Sequence, residues 1–150
     1  MSPQQAGNTG IAGGDDRAGR WTPVLDGNFP VDLVGGVPVV TAPEEMDMVN
    51  APELDAALLE AALLEAASGG HGVLVADMTR TRFCDSAALH TLVAAHKRAQ
   101  AEGGELLLVI GSAAVLRIFA ITGADRVIAN FSSLDDALAS IARRIRRPSA

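Results

Sequence analysis

The sequence predicts an α/β fold, in which about four helices cover a mostly parallel central sheet of about five strands with an antiparallel edge. Three observations support this prediction. Buried-type strands alternate with helical segments after residue 50, the connections are short, and a Gly-Gly pair separates two β-rich runs before them. Alternation with short connections is typical of parallel strands covered by helices, and a hairpin adds an antiparallel edge.

The first elements are a hairpin, a helix and a strand. Residues 29–42, FPVDLVGGVPVVTA, form two β-rich runs around Gly35-Gly36 and predict the hairpin. The run that follows, APELDAALLEAALLEAASGG, predicts a helix, because Pro52 suits a first helical turn and Gly69-Gly70 suits its end. Residues 72–78, GVLVADM, then predict a buried strand.

The remaining elements alternate in the same way. Glycines at 103–104 and 123 end two of the predicted helices. The apolar run 106–124 imitates a membrane span, but Gly111-Ser112 divides it into a strand-sized and a helix-sized piece of a soluble fold. The predicted helices cover residues 85–102, 112–122 and 133–147, and the predicted strands are ELLLVI (105–110) and RVIANF (126–131).

Composition limits the class of protein. The 150 residues predict one domain, and 49% hydrophobic but only 3% aromatic residues predict an aliphatic core. The net charge of −6 argues against a nucleic-acid or anionic-membrane partner, because both require a positive surface. Cys84 is the sole cysteine, which excludes an intramolecular disulfide. The N-terminal residues do not show the basic region and apolar core of a secretory signal, so we expect a cytoplasmic protein.

Residues 1–28 differ in composition from the rest of the chain. They hold six of the fifteen glycines among Pro, Gln, Asn and Asp, without an apolar period. Such a composition predicts a disordered N-terminal tail, followed by one folded domain over residues 29–148.

A polar pair, Asp85-Ser86, opens the helix in the segment FCDSAALHTLVAAHKRA. At 100° per residue, the apolar side of that helix faces the sheet, Ser86 lies at its edge, and His90 points to solvent. The carboxyl edge of parallel strands is a common place for recognition, and a helix N-terminus favours a phosphate. Helix capping by Asp85 explains the pair without any function and is favoured by the residues alone, but both interpretations stay open.

The sequence offers no convincing catalytic or metal site. Asp85 next to Ser86 does not replace a histidine base held by a third group, so a Ser-His hydrolase is disfavoured. Cys84 follows the apolar residue Phe83 and is expected to be buried and inert rather than a reactive thiolate. The three histidines lack metal-ligand spacing, and the Gly-Gly pairs match no nucleotide-binding loop. We therefore expect a non-enzymatic protein without a cofactor.

Several short motifs follow one another in a specific order along the chain. They are Met46-Asp47, Asp77, Asp85, Ser86, Leu89, Gly103-Gly104, Thr122-Gly123, Asp125-Arg126 and Ser133-Leu134. Their order over roughly residues 29–147 resembles the STAS domain of bacterial anti-sigma-factor antagonists. The second Ser/Thr and the Gly of the family's phosphorylation motif are replaced here by Ala87 and Ala88, and Glu44 replaces a glycine upstream.

The resemblance implies a STAS-like single domain that acts as a phosphorylation-switched binding module. Ser86 would be phosphorylated by an ATP-binding anti-sigma factor serine kinase, which the unphosphorylated protein sequesters, and a serine phosphatase would reverse the reaction. A non-switched STAS scaffold or small-ligand sensor is the alternative. Neither implies a nucleic-acid or membrane partner. The residues expected to contact the partner are Asp47, Asp85, Ala87, Leu89 and His90.

Overall fold

The structure is a computed structural model, and it describes residues 14–15, 21–22, 28–70 and 72–146. Within the first two ranges, strands β1 (Gly14–Asp15) and β2 (Trp21–Thr22) pair in an antiparallel manner. Most of the predicted tail, and His71, lie outside the described residues. The expectation of a disordered tail therefore stays a prediction.

A five-stranded sheet forms the centre of the described part of the chain. Its strands are β3 (Val31–Val34), β4 (Val37–Thr41), β6 (Val73–Met78), β8 (Glu105–Ile110) and β9 (Asn130–Phe131). They lie in the order β3-β4-β6-β8-β9, with β3 antiparallel to β4 and every other neighbouring pair parallel. The predicted mostly parallel sheet with an antiparallel edge is therefore confirmed.

Four helices of the described part cover this sheet. From β4 to β9, each successive parallel strand is added on the same side of the previous one, and one helix connects each pair. Because such connections are right-handed, the three connecting helices lie on one face of the sheet. The fourth packs on the opposite face, where Ala137 and Ile141 contact the sheet's second set of buried side chains. The helices are α1 (Ala51–Ser68), α2 (Ser86–Ala101), α3 (Ala113–Thr122) and α4 (Leu134–Arg146).

The central strands are buried on both faces. In β8, Leu106 and Leu108 belong to the core beneath α1–α3, whereas Leu107 and Val109 belong to the core beneath α4. Parallel sheets covered on both faces have such continuous apolar strands. This burial accounts for the apolar run 106–124, which divides into β8 and α3. No helix within the described residues is long and apolar enough to cross a membrane.

Two local expectations differ from the structure. The predicted strand at 126–131 is only Asn130–Phe131, because a 3₁₀ turn over Ala124–Arg126 follows α3, and the Ile128 N–H bonds back to the Ala124 carbonyl. The sequence also gave no sign of a second, two-stranded parallel sheet, β5 (Glu45–Met46) and β7 (Phe83–Cys84). Two residues are too few for a recognisable alternation, so only the tertiary pairing defines these strands.

The Gly103-Gly104 pair before β8 is required for two different physical reasons. Gly103 has φ +84°, a left-handed conformation that side chains rarely adopt, but a Cβ there would meet open space. A Cβ on Gly104 would lie 2.0 Å from the backbone carbonyl oxygen of Gly72, the residue directly before β6. The close approach lets the Glu105 N–H donate to that carbonyl, which starts the β6–β8 pairing.

Replacing these glycines should separate the two effects. We expect Gly103→Ala to lower the free energy of unfolding by about 1–2 kcal/mol, the strain of one left-handed residue. Gly104→Ala should lower it by about 3 kcal/mol or more, since the backbone of Gly72 must move. Urea unfolding followed by circular dichroism measures both. Equal losses for the two variants would contradict the proposed close contact.

Candidate partner-binding site

Asp85 joins two distant segments of the chain at the start of α2. One carboxylate oxygen, Oδ1, accepts a hydrogen bond from the Ala88 N–H at 3.0 Å and caps the helix. The other, Oδ2, accepts from the Met48 N–H at 2.9 Å. The capping interpretation is therefore confirmed, and the same side chain also fixes the loop before α1 against the start of α2.

The loop that Asp85 holds is a compact turn over residues 47–50. The Asp47 carboxylate accepts from the N–H groups of Val49 and Asn50, at 3.0 and 3.1 Å. The Asn50 side chain accepts from the Asp47 N–H at 2.9 Å and donates to the Glu45 carbonyl at 2.9 Å. Asp47 therefore shapes the turn with its own neighbours, as short polar side chains do in tight turns.

The β5–β7 pair places this turn beside Ser86. Glu45 lies opposite Phe83, and Met46 lies opposite Cys84, in parallel register. The Asp85 N–H then donates to the Met46 carbonyl at 3.0 Å, which continues the ladder up to the first turn of α2. Asp47 and Asp85 are the residues that directly follow the two strands, so the pairing brings their backbones together.

The predicted site residues on α2 differ in accessibility. Ser86 and His90, one turn apart, are exposed, and Ala87 is half-buried. Leu89 is only 6% exposed and packs in the core under α2, which leaves it little surface for a partner to contact. Ser86 and His90 are therefore the most accessible of these residues, Asp47, Asp85 and Ala87 are partly exposed, and their contact with a partner stays a prediction.

Three exposed apolar side chains accompany Ser86, and the sequence analysis did not single them out. Met48 and Val49 project from the turn that Asp85 holds, with Val49 82% exposed, and Phe83 precedes Asp85 with about half of its surface exposed. Exposed apolar side chains next to one another often mark interaction sites. We call Met48, Val49, Phe83, Ser86 and His90 the Ser86 face. The pair Met48-Val49 within an otherwise polar turn was the available sequence signal.

The nearby thiol and the side chain of His96 serve the fold. The Cys84 thiol is buried. Burial, and to a lesser extent the Asp85 carboxylate, raises its pKa to about 12, so the thiol stays neutral. His96 is buried, and its Nδ1 accepts from the Leu106 N–H at 3.2 Å, which ties α2 to β8. The described residues contain no cluster of three or more side chains suited to a metal ion.

Comparison with known proteins identifies the family of this fold and site. Residues 28–137 match the STAS domain family model, and the chain belongs to that family. No curated protein sequence matches the chain significantly. Among solved structures, the chain is similar to an anti-sigma factor antagonist from Mycobacterium paratuberculosis, with 31% identity, a TM-score of 0.66, and coverage of 76% of this chain and 92% of that one.

Two further structures share the fold at lower identity. An anti-sigma-factor antagonist (STAS) domain protein from Planctomyces limnophilus has a TM-score of 0.66 at 21% identity, over 76% of this chain and 97% of that one. The Bacillus cell fate determinant SpoIIAA in its phosphorylated form has a TM-score of 0.55 at 16% identity, over 79% of this chain and 99% of that one. The STAS resemblance of the sequence is thereby confirmed.

Removing the Asp85 carboxylate should destabilise the protein more than removing an ordinary helix cap. Asp85→Ala loses both the cap and the bond to Met48, so we expect a loss of about 1.5–3 kcal/mol in unfolding free energy. Ser112→Ala is the matched control, because within the described residues its hydroxyl makes the cap bond to the Val115 N–H and no other, and its loss should be about 1 kcal/mol. Urea titration compares the two variants. Identical losses would show that the Met48 bond contributes nothing.

Proposed function

We propose that this protein is an anti-sigma-factor antagonist whose binding to an anti-sigma factor serine kinase is switched by phosphorylation of Ser86. The observation that carries the proposal is the exposed Ser86 hydroxyl at a helix N-terminus, beside the exposed apolar side chains of the Ser86 face. The 31% identical antagonist from Mycobacterium paratuberculosis supports the class of partner. Sequestration of the kinase would leave a sigma factor free.

The position of Ser86 suits a reaction whose catalysis is supplied by the partner. Both oxygens of the neighbouring Asp85 carboxylate already accept backbone hydrogen bonds, so this carboxylate is engaged in structure and is a poor general base. The chain would contribute only the acceptor hydroxyl, and the kinase would contribute ATP and its catalytic groups. A serine phosphatase would restore the unmodified surface.

The same position explains why a phosphate would release the partner without unfolding the protein. A phosphate on Ser86 adds about −1.5 to −2 charge at a helix N-terminus, where free N–H groups and the helix dipole tolerate it. A partner that covers the Ser86 face would bury the exposed Met48, Val49 and Phe83, and the added charge would there meet a partly desolvated surface next to Asp85. The fold therefore persists while the complex dissociates.

Phosphate transfer to Ser86 is directly testable. We expect incubation with the cognate anti-sigma factor kinase and Mg-ATP to add one phosphate, which mass spectrometry of peptides should place on Ser86. Ser86→Ala should abolish the labelling. Labelling that persists in this variant, or that lies mainly on Thr79, Thr81 or Ser112, would overturn the assignment.

The direction of the switch is tested by binding. Ser86→Ala should keep the affinity for the kinase and resist release by ATP, whereas Ser86→Asp should weaken binding by about tenfold or more, because it adds a second carboxylate beside Asp85. Titration calorimetry measures both, and circular dichroism should be unchanged. Equal affinity of the two variants would favour the alternative, a non-switched STAS scaffold or small-ligand sensor.

A further inference from the structure

The outer side of α1 is apolar along its whole length. The side of α1 that faces the sheet and α2 buries Leu54, Leu58 and Ala61. On the opposite side, the residues are exposed as well as apolar, and Leu63 is 72% exposed. We call the exposed set the α1 stripe; it consists of Pro52, Ala56, Leu59, Leu63 and Ala66. A helix that is apolar on both sides is expected to have a contact on both.

The spacing of the α1 stripe indicates what kind of element would cover it. Its members are separated by four, three, four and three residues, which is the a/d spacing of a coiled-coil seam. The seam continues along a helix of 18 residues, about 27 Å. An apolar seam with this period fits the apolar seam of another helix better than it fits a strand or an irregular segment.

The charges beside the α1 stripe indicate the charge of that helix. Glu53 and Glu60 are seven residues apart and flank one side of the seam, at the positions whose charges select a coiled-coil partner. α1 contains four acidic residues and no basic residue. Asp55, on the other side, pairs with Arg98 of α2 at 3.3 Å and is already neutralised.

Glu60 gives independent support for a cationic partner. Its Oε2 atom is buried and has no hydrogen-bond donor within the part of the chain that the structure describes. Burial also raises the pKa of this carboxyl group. A buried carboxylate oxygen without a donor is an unfavourable arrangement, and rotation of the Glu60 side chain towards an arginine or lysine of a partner would relieve it.

We propose that the α1 stripe docks an amphipathic helix of a partner protein, with an apolar seam and with basic residues opposite Glu53 and Glu60. A second copy of this chain fits less well through α1 itself, because the pairing would place acidic residues against acidic residues without a basic one. This surface uses none of the residues of the Ser86 face. It would therefore let the protein be recruited or held by a partner whether or not Ser86 is modified.

A pair of synthetic helical peptides tests the proposal on the full chain. Both have 18 residues with Leu and Ala in a heptad seam; one carries Arg at the flanking positions and the other carries Glu. We expect the Arg peptide to bind, with NMR shift changes on α1, and the Glu peptide not to bind. Leu63→Gln should weaken binding of the Arg peptide at least tenfold, and Glu60→Gln should weaken it severalfold.

The control variant is Ile121→Gln, which changes an apolar residue of α3 that is 77% exposed, similar to Leu63. It should leave peptide affinity unchanged, and all three variants should keep the wild-type thermal midpoint. The proposal fails if neither peptide binds, if both bind equally, or if Leu63→Gln has no more effect than Ile121→Gln.

Two other occupants would also overturn the proposal, and each has its own readout. If a second copy covers the stripe, sedimentation should show a dimer of the protein alone that Leu63→Gln dissociates. If residues 1–27 cover it, Leu63→Gln should shift the fluorescence of Trp21, the sole tryptophan. We expect the protein alone to sediment as a monomer with or without Leu63→Gln, and we expect this substitution to leave the Trp21 emission unchanged.

Discussion

The hydrogen bonds of one carboxylate, that of Asp85, hold the candidate site together. They connect the turn before α1 to the first turn of α2 across 37 positions in the sequence. The β5–β7 pairing brings the two segments side by side, and the carboxylate then fixes the Met48 backbone against the start of α2. The backbone that carries the exposed Met48 is thereby held next to the helix turn that carries Ser86.

The rest of the fold makes that connection rigid. The β5–β7 pair leads both segments to Asp85 in register, and the central strands behind it are buried on both faces. The close backbone approach at Gly72 and Gly104 fixes the opposite end of β6 and β8. A binding surface built on such elements loses little conformational entropy when a partner binds, because it is already ordered.

The two surfaces of the protein suit different kinds of contact. In the proposed function, the Ser86 face combines a hydroxyl that would be phosphorylated with exposed apolar side chains, so the added charge would act within the contact. The α1 stripe has no such group, and its selectivity would come from Glu53 and Glu60 at the rim. A STAS domain with both could respond to a signal at one surface while the other keeps its partner.

The sequence by itself determined the elements and their class. The Gly35-Gly36 hairpin, the Gly-terminated helices α1 and α3, and the apolar strands β6 and β8 follow from local rules of turns, caps and periodicity. The same rules offer Asp85 as a helix cap, which the structure confirms, and the order of motifs indicates the STAS family. Only the tertiary structure decided that the second Asp85 oxygen binds Met48, that β5 pairs with β7, and that Leu89 is buried while Val49 is exposed. These features depend on contacts between segments far apart in the chain, and local propensity contains no information about which distant backbone group will meet a given carboxylate.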